Sequence, residues 1–196
     1  MFTRISIKEF ENGYKNTSVL GADIFGVVPV FGKKGKRIEK EDKYKFKVLE
    51  ALCKGMFCGL ITDLEYGRVK NLIGDKTFYK FLDSKIEANS KARLFQIKVA
   101  GYLKEYKEMP AYRCLFKLIE DGNMHVPNLT TIIAAIELDL PIVSSDLHFY
   151  TQRNNICDAY RERRIEERKQ AITEKRKTKD IAICDPQYFC KDVLKI

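Results

Sequence analysis

Residues 125–150 read HVPNLTTIIAAIELDLPIVSSDLHFY, and the fold is decided on this stretch. Asn128-Leu129-Thr130-Thr131 opens the run IIAAIEL, whose branched apolar residues and two alanines suit a tightly packed helix. Asp139 and Pro141 break that helix. Ile142-Val143 follows as a short apolar strand that delivers Ser144, Ser145 and Asp146 at its end. In parallel α/β sheets, ligands sit outside the carboxyl ends of the strands. Asp146 therefore stands where a metal or phosphate site belongs, unless it only caps the turn that follows.

Upstream, residues 1–16 are mixed and polar and read as a short strand or arm followed by a helical turn. Thr17-Ser18-Val19-Leu20-Gly21-Ala22 then leads to a lone acid, as a buried first strand ending at Asp23 would. A simple turn residue is the alternative for Asp23. Residues 41–54 carry Tyr44, Phe46, Val48, Leu49 and Leu52 on a helical period, and MFCGLI (56–61) reads as a second strand. Thr62-Asp63-Leu64-Glu65 has the form of a capping box, which explains Glu65 structurally. Two or three helices are expected next: Tyr66 to Ile73, Thr77 to Val99 or Leu103, and Ala111 to Asp121, punctuated by Pro110 and Gly122.

Charge is unevenly placed. Of the formal net charge of +9, GKKGKRI (32–38) supplies four basic residues and no acid. Residues 161–179 supply nine basic residues and four acids, so the rest of the chain is neutral. Concentrated positive charge is the footprint of a polyanion binder, although a lysine-rich face also serves solubility. Lys33, Lys34, Lys36 and Arg37 in the first segment, with Arg163, Arg164, Arg168 and Lys169 in the second, are the candidate substrate-binding residues. The second segment carries Arg163–Glu167 and Glu166–Lys169 at helical spacing and few apolar residues, so a charged helical insertion that projects from the body or is partly mobile is expected over 151–179. Its rival role is packing against a second subunit or a protein partner.

No run of about 18 apolar residues is present, so no membrane span is expected. The acids in MFTRISIKEFENGY argue against a secretory signal. Six cysteines without a CxxC pair fit reduced thiols in a cytoplasm better than zinc or a disulfide framework.

The 125–150 stretch resembles the end of a PIN domain, a nuclease fold that places acids around a divalent metal. In one ungapped register, Pro127-Asn128 falls on the family's "nD", Leu140-Pro141 on "lp", Ser144-Ser145-Asp146 on "TrD" and Phe149 on the closing Phe. Ile61-Thr62-Asp63-Leu64-Glu65 resembles the helix start "itlaEl" that carries the second acid, with Asp63 as a nearby substitute. Asp23 corresponds to the acid of the opening "DTN", but Ile24 and Phe25 replace its polar pair. The likeness covers about residues 18–150 and 180–195.

It implies one α/β domain over residues 1–196, three-layered α/β/α around a mostly parallel sheet, with strands ending near Asp23, Ile61, Ser144 and Cys184. It also implies a metal-dependent endoribonuclease with Asp23, Glu65, Asn128 and Asp146 as catalytic and metal-binding residues, Mg²⁺ or Mn²⁺ as cofactor and RNA as substrate. Ser144 joins the substrate-binding set. His148 is read either as a phosphate contact or as a surface residue. Many small PIN proteins are toxins held by an antitoxin, but this chain is longer than that type; an antitoxin-like partner and a homodimer both stay open. Asn128 stands in the place of an acid. That leaves three meanings: a weak or one-metal nuclease, a pseudo-nuclease that only binds RNA, or an inactivating laboratory change.

Overall fold

The computed structural model describes residues 2–11, 13–14, 16–31, 39–40, 42–170 and 180–196. Among them, six strands form the central sheet: β1 (Phe2–Ser6), β2 (Ser18–Leu20), β3 (Cys58–Thr62), β4 (Arg93–Lys98), β5 (Ile142–Val143) and β6 (Ile183–Cys184). They lie in the order β1-β4-β3-β2-β5-β6, and every pairing is parallel. The helices are α1 (Lys43–Cys53), α2 (Asp63–Ile73), α3 (Asp75–Phe81), α4 (Leu103–Glu108), α5 (Arg113–Glu120), α6 (Val126–Leu138), α7 (Leu147–Thr151), α8 (Arg153–Gln170) and α9 (Pro186–Tyr188).

Successive strand residues point to opposite faces, and here both faces are covered. Val19, Leu60, Phe95 and Ile142 join a core with residues of α5, α6 and α8. Leu20, Ile61, Leu94 and Val143 join a second core with residues of α1, α2 and α3. A sheet buried on both sides needs apolar runs rather than alternation, which is how VL, CGLI and IV read. The α/β class and the parallel sheet thus agree with the sequence, as do the strand ends at 61, 144 and 184 to within a residue or two. β2 stops at Leu20, and a 3₁₀ segment over Ala22–Val30 carries Asp23.

Two expectations are corrected. The helix expected to run from Thr77 to Val99 or beyond ends at Phe81, followed by a π turn over Leu82–Glu87, and Arg93–Lys98 is a strand. RLFQIK suits either state locally. What decides it is pairing on both edges, with β1 (Phe2↔Leu94) and with β3 (Leu60↔Phe95), neither of which is near in sequence. The charged insertion does not stand away from the body over its first half. Ile156, Cys157, Ala159 and Tyr160 are buried, a narrow stripe at helical spacing amid charge. Arg163 and Arg164 hold the next turn down through Glu137 and the Ile136 carbonyl of α6.

α6 is apolar nearly all round, with Ile132 through Ile136 buried between the sheet and its neighbours. Asp139 closes it in the left-handed region at φ 53, and its carboxylate accepts a bond from Tyr160 Oη at 2.6 Å. Among the described residues no helix is long and apolar enough to cross a membrane. The six cysteines are free.

Candidate active site

β2 lies between β3 and β5, so the chain leaves it to one side and later returns on the other. Such a reversal opens a crevice at the carboxyl ends of the strands. Asp23 follows β2, Glu65 sits in the first turn of α2 after β3, and Asp146 follows β5. Asn128 enters from the first turn of α6, which a 2.8 Å contact between the Thr62 and Thr130 hydroxyls ties to the end of β3. All four expected residues therefore meet at one place.

Each is held by specific donors. Ser144 Oγ donates to Asp23 Oδ1 at 2.6 Å, while the Ser145 N–H and Oγ donate to Oδ2 at 2.8 and 2.7 Å. Ser144, expected at the substrate, is fully buried and instead positions this acid. Thr62 caps α2 as the sequence suggests, accepting from the Glu65 N–H. The Glu65 carboxylate turns into the site, where Oε2 accepts from the Ala22 N–H at 3.0 Å. Asp63 faces elsewhere, accepting from the N–H groups of Val99 and Ala100 at the end of β4. Of the two, Glu65 is therefore the acid that faces the site. Asp146 accepts from Asn128 Nδ2 at 3.2 Å and from the His148 N–H at 3.0 Å, with His148 Nδ1 2.8 Å away. The His148 ring also packs against His125, centroids 5.1 Å apart.

Burial and the neighbouring Asp23 and Asp146 charges push the Glu65 carboxyl up to about 7, against the pull of Arg68 and the Ala22 N–H. Asp146 behaves oppositely: burial raises it, but the bonds from His148 and Asn128 outweigh that and hold it below the usual range. Two adjacent carboxyls pushed apart in this way are common at functional sites.

Three contributors carried no separate signal in the sequence. Ser145 doubles the clamp on Asp23. Arg68, one turn after Glu65, places Nη1 2.7 Å from Asn128 Oδ1 and 3.5 Å from Glu65 Oε1, and Nη2 3.5 Å from Asp146 Oδ2. Gly21 leaves room for the clamp: a Cβ there would stand 2.5 Å from Asp23 Oδ1 and 2.7 Å from Ser144 Oγ. Gly21→Ala is therefore expected to cost about 1–3 kcal/mol by overpacking, measured by urea unfolding. An unchanged midpoint would mean that the clamp relaxes freely.

Lys33, Lys34, Lys36 and Arg37 lie outside the described residues, as do the side chains of Arg168 and Lys169 in the last turn of α8. Arg163 and Arg164 are engaged with Glu137, Glu167 and the Ile136 carbonyl. Among the described residues, other lysines lie beside the acids. A cleft of about 400 Å³ beside the site is lined by Lys40, Lys43, Lys45, Tyr44, Asp185, Pro186, Gln187 and Ser145, so three lysines outnumber one acid, and Ser145 also holds Asp23.

Oxygen donors alone make up the acid cluster, the chemistry that Mg²⁺ and Mn²⁺ prefer. Among the described residues no group of three His, Cys, Asp or Glu side chains is placed to ligate one ion. Mg²⁺ is usually held by one or two carboxylates with water completing its shell, so a pair of these carboxylates with the Asn128 amide oxygen matches its chemistry without a three-acid group. The buried Glu65 carboxyl, pushed up to about 7 beside Asp23 and Asp146, is the observation in favour. Comparison of the chain with protein-family models, curated proteins and solved structures yields no match.

Proposed function

We propose that this site is the centre of a PIN-like, metal-dependent endoribonuclease that hydrolyses RNA phosphodiester bonds. The observation that carries the reading is the meeting of Asp23, Glu65 and Asp146 at the switch-point crevice, with Glu65 fully buried. A bound Mg²⁺ or Mn²⁺ would supply an activated water and neutralise charge on the reacting phosphate. The chain's own share is positioning. The two serines fix Asp23, Thr62 and the Ala22 N–H fix Glu65, and Asn128 with His148 fixes Asp146. A carboxylate cluster repels a polyanion, so attraction has to come from beside it. The lysine-lined cleft that shares Ser145 supplies this, and the RNA backbone enters there.

The test is cleavage of a labelled RNA in Mg²⁺ or Mn²⁺, with Asp146→Asn alongside. Loss of a ligand carboxylate is expected to lower the rate at least about 100-fold, since even outer-shell changes cost about 10–100-fold. Cleavage that survives a chelator or the substitution would overturn the reading. A second reading, a protein that binds RNA at this surface without cutting it, is favoured by Asn128 in an acid's place and by Arg68 among the acids. Salt-dependent RNA binding with no cleavage in either metal would establish it.

A further inference from the structure

We propose that Arg68 is the resident cation of the acidic site, and that its guanidinium and a divalent cation occupy that site in alternation; this rests on the metal-dependent reading above. Arg68 spans the crevice, touching Glu65 on its own helix, Asn128 at the start of α6 and Asp146 beyond β5. It reaches in from solvent: its side chain is 42% exposed, against 1% for Glu65 and 14% for Asp146.

The contacts are graded in an informative way. Charge-assisted N–H···O⁻ bonds run about 2.7–2.9 Å. Arg68 meets both carboxylates at 3.5 Å, and its single short bond, 2.7 Å, goes to the neutral amide of Asn128. Neither carboxylate holds the guanidinium tightly, so it can be displaced outward without breaking an optimised ion pair. Asn128 suits this arrangement better than an acid would. Its amide accepts from Arg68 through Oδ1 while donating to Asp146 through Nδ2, and a carboxylate could not donate the second bond. An amide also removes one negative charge from a site that the Arg68 cation already partly neutralises. A divalent cation entering beside the guanidinium would meet repulsion at short range. Metal binding therefore requires Arg68 to leave, and the intrinsic metal affinity is lowered by that requirement.

The experiment is calorimetric titration of the full chain with Mn²⁺ alone, comparing the unaltered protein with Arg68→Gln and Arg68→Lys. Arg68→Gln is expected to bind Mn²⁺ at least tenfold more tightly, and Arg68→Lys, which keeps the charge without the fork, to fall between. Far-ultraviolet circular dichroism checks that both are folded, and if the glutamine variant is not, the lysine variant alone decides. Unchanged or weaker binding in the folded variants, with the unaltered protein binding, overturns the inference and leaves the nuclease reading intact. No Mn²⁺ binding by any of the three overturns both. Tighter binding in Arg68→Gln, with no RNA cut by any form, upholds the inference and removes the nuclease reading.

Discussion

Glu137→Ala is expected to destabilise the protein by about 3 kcal/mol, the lower end of the cost of breaking a buried ion pair by removing one partner. Glu137 Oε1 and Oε2 accept from Arg163 Nε and Nη2 at 2.6 and 2.9 Å, a fork-on-fork pair, and Oε1 also accepts from Tyr112 Oη at 2.5 Å. The side chains of Arg163 and Glu137 are only 15% and 14% exposed, and Tyr112 is fully buried. Truncation leaves the buried phenol without its acceptor, leaves the guanidinium only Glu167 at 3.5 Å, and removes one of the ties between α8 and α6. Urea unfolding measures the loss; a change under 1 kcal/mol would show that water replaces the carboxylate. Burial raises the Glu137 carboxyl, but the bonds from Arg163 and Tyr112 more than offset this and hold it below its ordinary 4.5. A depressed folded value means that the pair's contribution is present above 4.5 and disappears as the pH falls through the folded value. The double replacement Glu137→Leu with Arg163→Met should recover most of the stability, since apolar residues of similar volume often substitute for a buried pair without loss.

The second large effect has the opposite sign. In metal-free protein, Glu65 is raised from 4.5 to about 7 by burial and by Asp23 and Asp146. Between those values the folded chain holds a proton that the unfolded chain has released. Stability is then highest at or below pH 4.5 as far as this group is concerned, and falls as the pH rises toward 7. At about 1.4 kcal/mol per pH unit, the shift amounts to about 3 kcal/mol. Glu65→Gln, with no proton to lose, should flatten the decline, so that its melting temperature exceeds that of the unaltered protein at pH 8 and not at pH 5. Parallel melting curves for the two across that range would mean that Glu65 is solvated in the folded chain.

The sequence by itself determined the elements that speak through local chemistry. The apolar pair Ile142-Val143 after a proline, the Thr62 cap, and Asp139 at a helix end each have a neighbour within a few residues that makes them legible. The class of fold followed from these, as did Asp23, Glu65 and Asp146 as acids at the ends of elements. The tertiary structure decided what depends on partners distant along the chain. RLFQIK became a strand because β1 and β3 flank it on both sides, a pairing that no window of residues displays. The resemblance favoured Glu65 with Asp63 as a nearby substitute, and the path of α2 is what turns one toward Ala22 and the other toward Val99. Arg163 and Arg164 read as substrate-binding charge, and α6 brings Glu137 and a carbonyl to them. Arg68 looked like any surface arginine one turn into a helix. Its role as the cation among the acids arises because β2 is the point where the sheet reverses, which places the ends of α2, α6 and β5 around a single crevice.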